Sequence, residues 1–261
     1  MTIAGSDPSG GAGIQADIKT ISACGCFATS AIVAVVDENT VGVTGVHPIP
    51  PDFVASQIRS ILDDIGTDSV KIGMLHSSEL IHSVRDTLDL YQEITDIVLD
   101  PVMVATSGDP LLQSEAVATL RDVLVPRARV ITPNIPEAEL LLGHSIAGQE
   151  ALHDAAAELA AFGTSVFLKA GHLTDDYLSD IFYNAETDET VVLRTKRIDT
   201  VNTHGTGCTL SSAIASFLAL GYSLNDAARL AKEYINGAIA AGASYSIGHG
   251  HGPVHHFHNR W

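Results

Sequence analysis

Asp96-Ile-Val-Leu-Asp-Pro-Val-Met103 is an apolar run that stops at a carboxylate and then at a proline. A strand with one wet face alternates apolar and polar residues, whereas a strand covered on both faces reads as continuous apolar sequence. Residues 96–99 are of the second kind. Working outward, β-branched apolar runs of this kind recur at 29–36, 69–74, 129–132, 165–169 and 190–194. Between and after them lie longer stretches with helical spacing, at 14–23, 52–64, 78–91, 114–125, 150–162, 206–219 and 224–243. Buried strands alternating with helices predict βαβ units, a mostly parallel sheet and an α/β/α three-layer fold. Val41-Gly-Val-Thr-Gly-Val46 breaks this rhythm, has β character beside prolines, and predicts a small flap at the sheet edge. No linker or composition shift divides the chain, so a single domain over 1–261 is expected.

The 261 residues carry 14 Lys+Arg against 31 Asp+Glu, a formal charge of −17, with 46% hydrophobic residues. That apolar content rules out a wholly disordered chain. The acidity argues against a nucleic-acid or anionic-membrane binder, which presents basic surface. Cys24, Cys26 and Cys208 make no disulfide framework, and Cys24-Gly-Cys26 reads as helix-end packing. The opening Met1-Thr-Ile-Ala-Gly5 has no basic n-region, and no apolar run reaches the length of a membrane span, so a cytoplasmic protein is the expectation. The tail holds His249, His251, His255, His256 and His258, which without carboxylate or Cys partners is a compositional signal only.

In open α/β sheets ligands sit beyond the C-terminal strand ends, so the loops there carry the chemistry. Ala4-Gly-Ser-Asp-Pro-Ser-Gly-Gly-Ala-Gly13 has the glycines of a backbone that approaches a ligand closely, yet it is neither a Walker A loop nor G-x-G-x-x-G. Asn202-Thr-His-Gly-Thr-Gly-Cys-Thr209 runs straight into a helix, and the N–H groups of a helix start can hold an anion without Lys or Arg. It reads equally as a glycine-rich cap. Cys208 falls in the first helical turn, where a thiol pKa tends to drop. Asn134 and Glu137 open another helix; they suit a hydrated Mg²⁺, and they also match a capping box. Asp100 ends a buried strand and needs a metal or amine partner unless it only starts a turn. Lys169 ends another buried strand, where a lysine is uncommon unless it meets a charge.

Together with Thr2-Ile-Ala-Gly-Ser-Asp-Pro-Ser-Gly-Gly-Ala-Gly-Ile-Gln-Ala-Asp-Ile-Lys19, Lys71-Ile-Gly-Met-Leu75, Ser107-Gly-Asp-Pro-Leu-Leu112, Lys169-Ala-Gly-His172 and Gly252-Pro-Val-His-His-Phe-His258, these stretches resemble the ribokinase-like superfamily. Within it the chain is most similar to the hydroxymethylpyrimidine/phosphomethylpyrimidine kinases of thiamine biosynthesis, over essentially its whole length. The resemblance implies a ribokinase-like three-layer sandwich. It also implies an ATP- and Mg²⁺-dependent kinase that phosphorylates an aminopyrimidine alcohol and then the monophosphate so formed. By resemblance, Gly205, Thr206, Gly207 and Cys208 form an anion hole over the transferred phosphoryl group, with Cys208 as base. Lys169 contacts ATP phosphates, Asn134 and Glu137 organise Mg²⁺, and Asp100 lies near the metal. Gly5, Asp17, Met74 and Val102 line the pyrimidine pocket, Lys232 lies near the nucleotide, and a homodimer is expected. One position departs: Glu38 stands where the family has a Gln that bonds the aminopyrimidine. An amide donates and accepts, whereas an ionised carboxylate only accepts. That keeps open a pyridoxal or pyridoxine kinase of the same fold, besides a pyrimidine-binding regulator without turnover.

Overall fold

The computed structural model describes residues 1–103, 112 and 114–261. The expected motif around Ser107 and Asp109 therefore lies outside the described residues.

The strands are β1 Thr2–Ala4, β2 Ser30–Ile32, β3 Ala34–Asn39, β4 Gly42–Pro48, β5 Val70–Ile72, β6 Ile97–Leu99, β7 Val130–Ile131, β8 Ser165–Leu168, β9 Tyr177–Asn184 and β10 Glu189–Lys196. The helices are α1 Gly13–Ala23, α2 Pro51–Leu62, α3 Ser78–Leu88, α4 Ser114–Thr119, α5 Ile135–Leu142, α6 Leu152–Ala160, α7 Thr206–Ala219 and α8 Leu224–Gly242. One sheet runs β10-β9-β8-β7-β6-β5-β1-β2, and β3-β4 form a separate flap. From β2 to β8 all neighbours are parallel; β8-β9 and β9-β10 are antiparallel.

The opening stretch shows why the sheet needs cover on both sides. Val98 faces one core cluster with Val130, Phe167 and residues of α7 and α8, while its neighbour Leu99 faces another with Ile72, Ile131 and residues of α2, α3 and α6. Every residue of β6 is fully buried. Two apolar faces leave no room for the alternation of a half-wet strand. The result is a three-layer α/β/α arrangement.

Several boundaries differ from the expectation. The run at 29–36 is two strands: β2 stays in the main sheet, and the chain leaves it at Val33 to form the flap. The run at 190–194 is no parallel strand; it is half of an antiparallel edge hairpin whose partner, β9, and the three-residue β1 carry too little periodicity to stand out. The helix expected over 114–125 is α4 followed by a wider turn at Leu120–Leu124 and a tight turn at Val125–Arg127, where Pro126 lacks the N–H needed to continue. No described helix is long and apolar enough to cross a membrane.

The order of β1, β2 and β5 decides where a ligand can sit. The chain passes from β1 to β2 on one side and returns to β5 on the other, which opens a crevice at the strand ends.

Candidate active site

A cavity of about 610 Å³ opens at the C-terminal ends of the parallel strands. Gly5, Glu38, Met74, Asp100, Val102, Asn134, Glu137, Lys169, Gly205, Thr206, Gly207, Cys208 and Lys232 all line it. Asp17 does not. Its side chain is fully buried behind the wall and bonded at 2.8 Å to Lys71, which does line the cavity. The pocket-lining role expected of Asp17 is thus corrected: on α1 its carboxylate turns inward, because a buried ammonium waits there.

At one end the cavity is charged. Lys169 Nζ lies 3.2 Å from Asp100 Oδ1 and 3.8 Å from Glu137 Oε2. Asp100 also accepts from Thr132 Oγ1 at 3.0 Å and Ser211 Oγ at 3.3 Å. Burial alone would lower the Lys169 pKa, but Asp100 and Glu137 outweigh it and raise it. Burial, helped by the nearby Asp100 and opposed by Lys169, pushes Glu137 up to about 7. Two buried carboxylates facing one ammonium leave an excess of negative charge and of oxygen donors, which fits a hydrated Mg²⁺. The capping reading of Asn134 and Glu137 also holds: Asn134 Oδ1 accepts from the Glu137 N–H at 2.9 Å, and Glu137 Oε2 accepts from the Asn134 N–H at 2.8 Å. The cap fixes both side chains at the cavity wall, so the two readings coexist.

The Gly205–Cys208 turn meets this charged end. A Cβ on Gly207 would lie 3.2 Å from Lys169 Nζ and 3.4 Å from Asp100 Oδ2. Gly205 caps α7 with φ +79°, and a Cβ there would fall 1.7 Å from the Gly11 carbonyl oxygen. Only glycine permits both the left-handed backbone and that approach. The first N–H groups of α7 have no carbonyl one turn back inside the helix. Thr206 donates to Thr203 O at 3.3 Å, and Gly207 and Cys208 line the cavity. The Cys208 thiol differs from the expectation. Burial pushes it up to about 12, against the pull of Lys71 and a Gly13 N–H bond, so the helix start does not prevail.

The other end has an apolar wall. A Cβ on Gly5 would lie 2.8 Å from Met74 Cε and 3.6 Å from Val36 Cγ2, so Gly5 leaves a slot walled by Met74 and Val36. Glu38 reaches this region from the flap, where the β3-β4 register shifts between Asp37 and Glu38. Such a bulge re-aims the side chains beside it.

Sequence reading missed Asp7 and His204. His204 Nε2 lies 2.9 Å from Asp7 Oδ2, which also accepts from the Gly11 N–H at 3.0 Å and the Ala12 N–H at 2.7 Å. Against burial, the His204, Ser9 and Ala12 bonds hold Asp7 far below the usual carboxylate range. The pair ties the glycine loop after β1 to the turn before α7. Asp7-Pro-Ser-Gly looks like a turn start in sequence, and no local signal announces a partner 197 residues away. Lys232 is paired with Asp180 at 2.7 Å, and Asp180 also accepts from the Ala170 N–H at 2.8 Å. Of the tail histidines, His258 packs against Tyr234 of α8 with ring centroids 5.0 Å apart and the planes tilted by 53°, whereas His249 and His251 are exposed.

The Phosphomethylpyrimidine kinase family model matches residues 7–255. The Hydroxymethylpyrimidine/phosphomethylpyrimidine kinase of Escherichia coli (strain K12) is 47% identical over 100% of this chain and 98% of its own length. Among solved structures, the Bacillus subtilis pyridoxal kinase ADP complex superposes with TM-score 0.90 at 37% identity, covering 99% of this chain and 97% of that one. The phosphomethylpyrimidine kinase of Clostridium difficile 630 superposes with TM-score 0.79 at 41% identity, covering 91% and 97%. With identity of this order sustained from end to end, and the matched motifs gathered around one cavity, the chain belongs to the phosphomethylpyrimidine kinase family and is a phosphotransferase.

Proposed function

We propose that this protein phosphorylates 4-amino-5-hydroxymethyl-2-methylpyrimidine with Mg²⁺·ATP, and then phosphorylates the monophosphate to the diphosphate. The observation that carries the reading is a cavity with an apolar slot at one end and, at the other, a helix start beside Lys169, Asp100 and Glu137. The pyrimidine ring lies in the slot between Gly5, Val36, Met74 and Val102, with Glu38 at its polar edge. The Gly207 and Cys208 N–H groups and Lys169 receive the transferring phosphoryl group, where positioning and charge neutralisation do most of the catalysis. Asp100, Glu137 and Asn134 hold Mg²⁺ with its waters, and the ion when bound neutralises phosphate oxygens. Lys232 lies toward the nucleotide. Cys208 is the group placed to take the hydroxyl proton in the first step, and to do so its thiol, which burial pushes up to about 12, must first lose its own proton. We read residues 1–261 as one kinase domain, working in the cytoplasm as a homodimer, a state that light scattering of the purified protein checks.

A second reading, pyridoxal kinase, is favoured by Glu38 and by the pyridoxal kinase fold neighbour. Steady-state ADP release on the pyrimidine alcohol, its monophosphate and pyridoxal separates the two. The pyrimidine kinase reading expects kcat/KM on the first two to exceed that on pyridoxal by at least about tenfold. The reverse order sinks it.

A further inference from the structure

The flap that carries Glu38 stands apart from the main sheet, since among the described residues β3 and β4 pair only with each other. A two-stranded hairpin is marginally stable by itself, so its anchors decide where it points. At its base, the Ser6 N–H donates to Ala34 O and the Ile49 N–H donates to Val33 O, both at 2.9 Å. Its tip is Thr40, in the turn between the two strands. There three successive N–H groups of the tail converge. His249 and Gly250 both donate to Thr40 Oγ1 at 3.2 Å, and His251 donates to the Thr40 carbonyl oxygen at 2.8 Å. The hydroxyl oxygen has two lone pairs for its two donors. The approach is close. A Cβ on Gly250 would lie 1.9 Å from the Thr40 carbonyl oxygen, and one on Gly248, at φ +74°, would lie 2.2 Å from Oγ1. The tail segment 245–252 is a strap held at both ends. Asn202 Nδ2 donates to Gly242 O at 2.9 Å and to Tyr245 O at 2.8 Å, and the His204 N–H donates to Gly252 O at 3.0 Å. Thr40 therefore ties the flap, through the strap, to the stretch that leads into the Gly205–Cys208 turn.

Thr40 does not line the cavity, but Glu38, two residues before it, does. The register shift between Asp37 and Glu38 is a bend point in β3, and the tie at Thr40 lies just beyond it. A hairpin pinned at base and tip cannot pivot at that bend. We propose that Thr40 is a positioning residue for the pyrimidine, bound by the 245–252 strap so that Glu38 stands at the polar edge of the ring. The inference rests on the kinase reading above. It puts a determinant of substrate recognition outside the cavity, at a contact between segments 210 residues apart.

A residue that acts through Glu38 should alter pyrimidine binding and little else. Thr40→Val keeps the branched shape and removes the acceptor, whereas Thr40→Ser keeps the hydroxyl. Both are assayed with Mg²⁺·ATP and the pyrimidine alcohol, alone and in a Glu38→Ala background. The expected result for Thr40→Val is a KM for the alcohol raised about tenfold, with kcat and KM for ATP within about threefold of the unaltered enzyme. Thr40→Ser should restore KM to within about threefold, since it still accepts both N–H groups. In the Glu38→Ala background Thr40→Val should move KM by less than about twofold, because the side chain it positions is gone. Gly250→Ala crowds the same contact from the strap, should raise KM likewise, and reports even if Thr40→Val folds poorly. An unchanged KM for the alcohol, a parallel rise in KM for ATP, or an undiminished effect without Glu38 overturns the proposal while leaving the kinase reading intact. Failure of the unaltered enzyme to phosphorylate either pyrimidine overturns the kinase reading and this proposal with it.

Discussion

Glu38, which the sequence resemblance marks as a departure from the family's Gln, sits at the bulge of the flap and lines the cavity. An ionised Glu accepts two hydrogen bonds and donates none, so its best partner is an aminopyrimidine whose ring nitrogen carries a proton. Glu38→Gln should therefore move the pH optimum of kcat/KM for the pyrimidine alcohol upward, by about one unit. Identical profiles would remove Glu38 from recognition. His256 makes a separate prediction about stability. Burial first, and then the neighbouring Lys19, lower its pKa to about 4, and its Nε2 has no partner. Unfolded histidine titrates near 6.5, so the folded chain binds fewer protons in between. The stability tied to this neutral ring is complete above pH 6.5 and is lost as pH falls through about 4. Denaturant titrations at pH 7 and pH 4 should show wild type losing up to about 3 kcal/mol more than His256→Gln. Equal losses would contradict it.

At the scale of elements, α7 and the glycine loop before α1 lock together. Gly205 meets the Gly11 carbonyl, and the Asp7–His204 pair fastens the same two loops. Gly205→Ala should lower kcat at least about 100-fold and cost at least about 2 kcal/mol, because the backbone conformation and the close approach both fail. Thermal melts beside steady-state kinetics check it; a normal kcat would mean that the turn is not part of the site. Legibility also differed by element. α7 was readable to the residue because a Gly-Thr-Gly turn and a long helix-forming run both mark it. β6 and β8 were readable because two covered faces demand continuous apolar sequence. The split of 29–36 was not, since a strand that changes sheets keeps its β-branched composition. β9 was missed because its polar residues follow the edge hairpin and not a buried parallel strand. In the site, charges ending buried strands were visible for Asp100 and Lys169. Asp17 was misplaced because its partner Lys71 lies 54 residues away, and spacing along α1 says nothing about what waits inside.

The whole molecule carries −17 and, on the reading above, binds polyanions. The cavity offers ATP backbone N–H groups, a place for Mg²⁺ and the cations Lys169, Lys196, Arg197 and Lys232 in its lining. The long-range field should oppose the nucleotide while short-range contacts hold it, and salt screens the first more than the second. Raising KCl from about 0.05 to 0.5 M at fixed free Mg²⁺ should lower or preserve KM for ATP. A steep rise would indicate that exposed cations do the binding.

On this reading one cavity passes two phosphoryl groups in turn to the same pyrimidine. The most direct measurement is product stoichiometry: limiting pyrimidine alcohol, excess Mg²⁺·ATP, phosphorus NMR of the products and ADP counted at completion. The monophosphate should appear and then decay into the diphosphate, with two ADP formed per pyrimidine consumed. A reaction that stops at the monophosphate with one ADP per pyrimidine would contradict it.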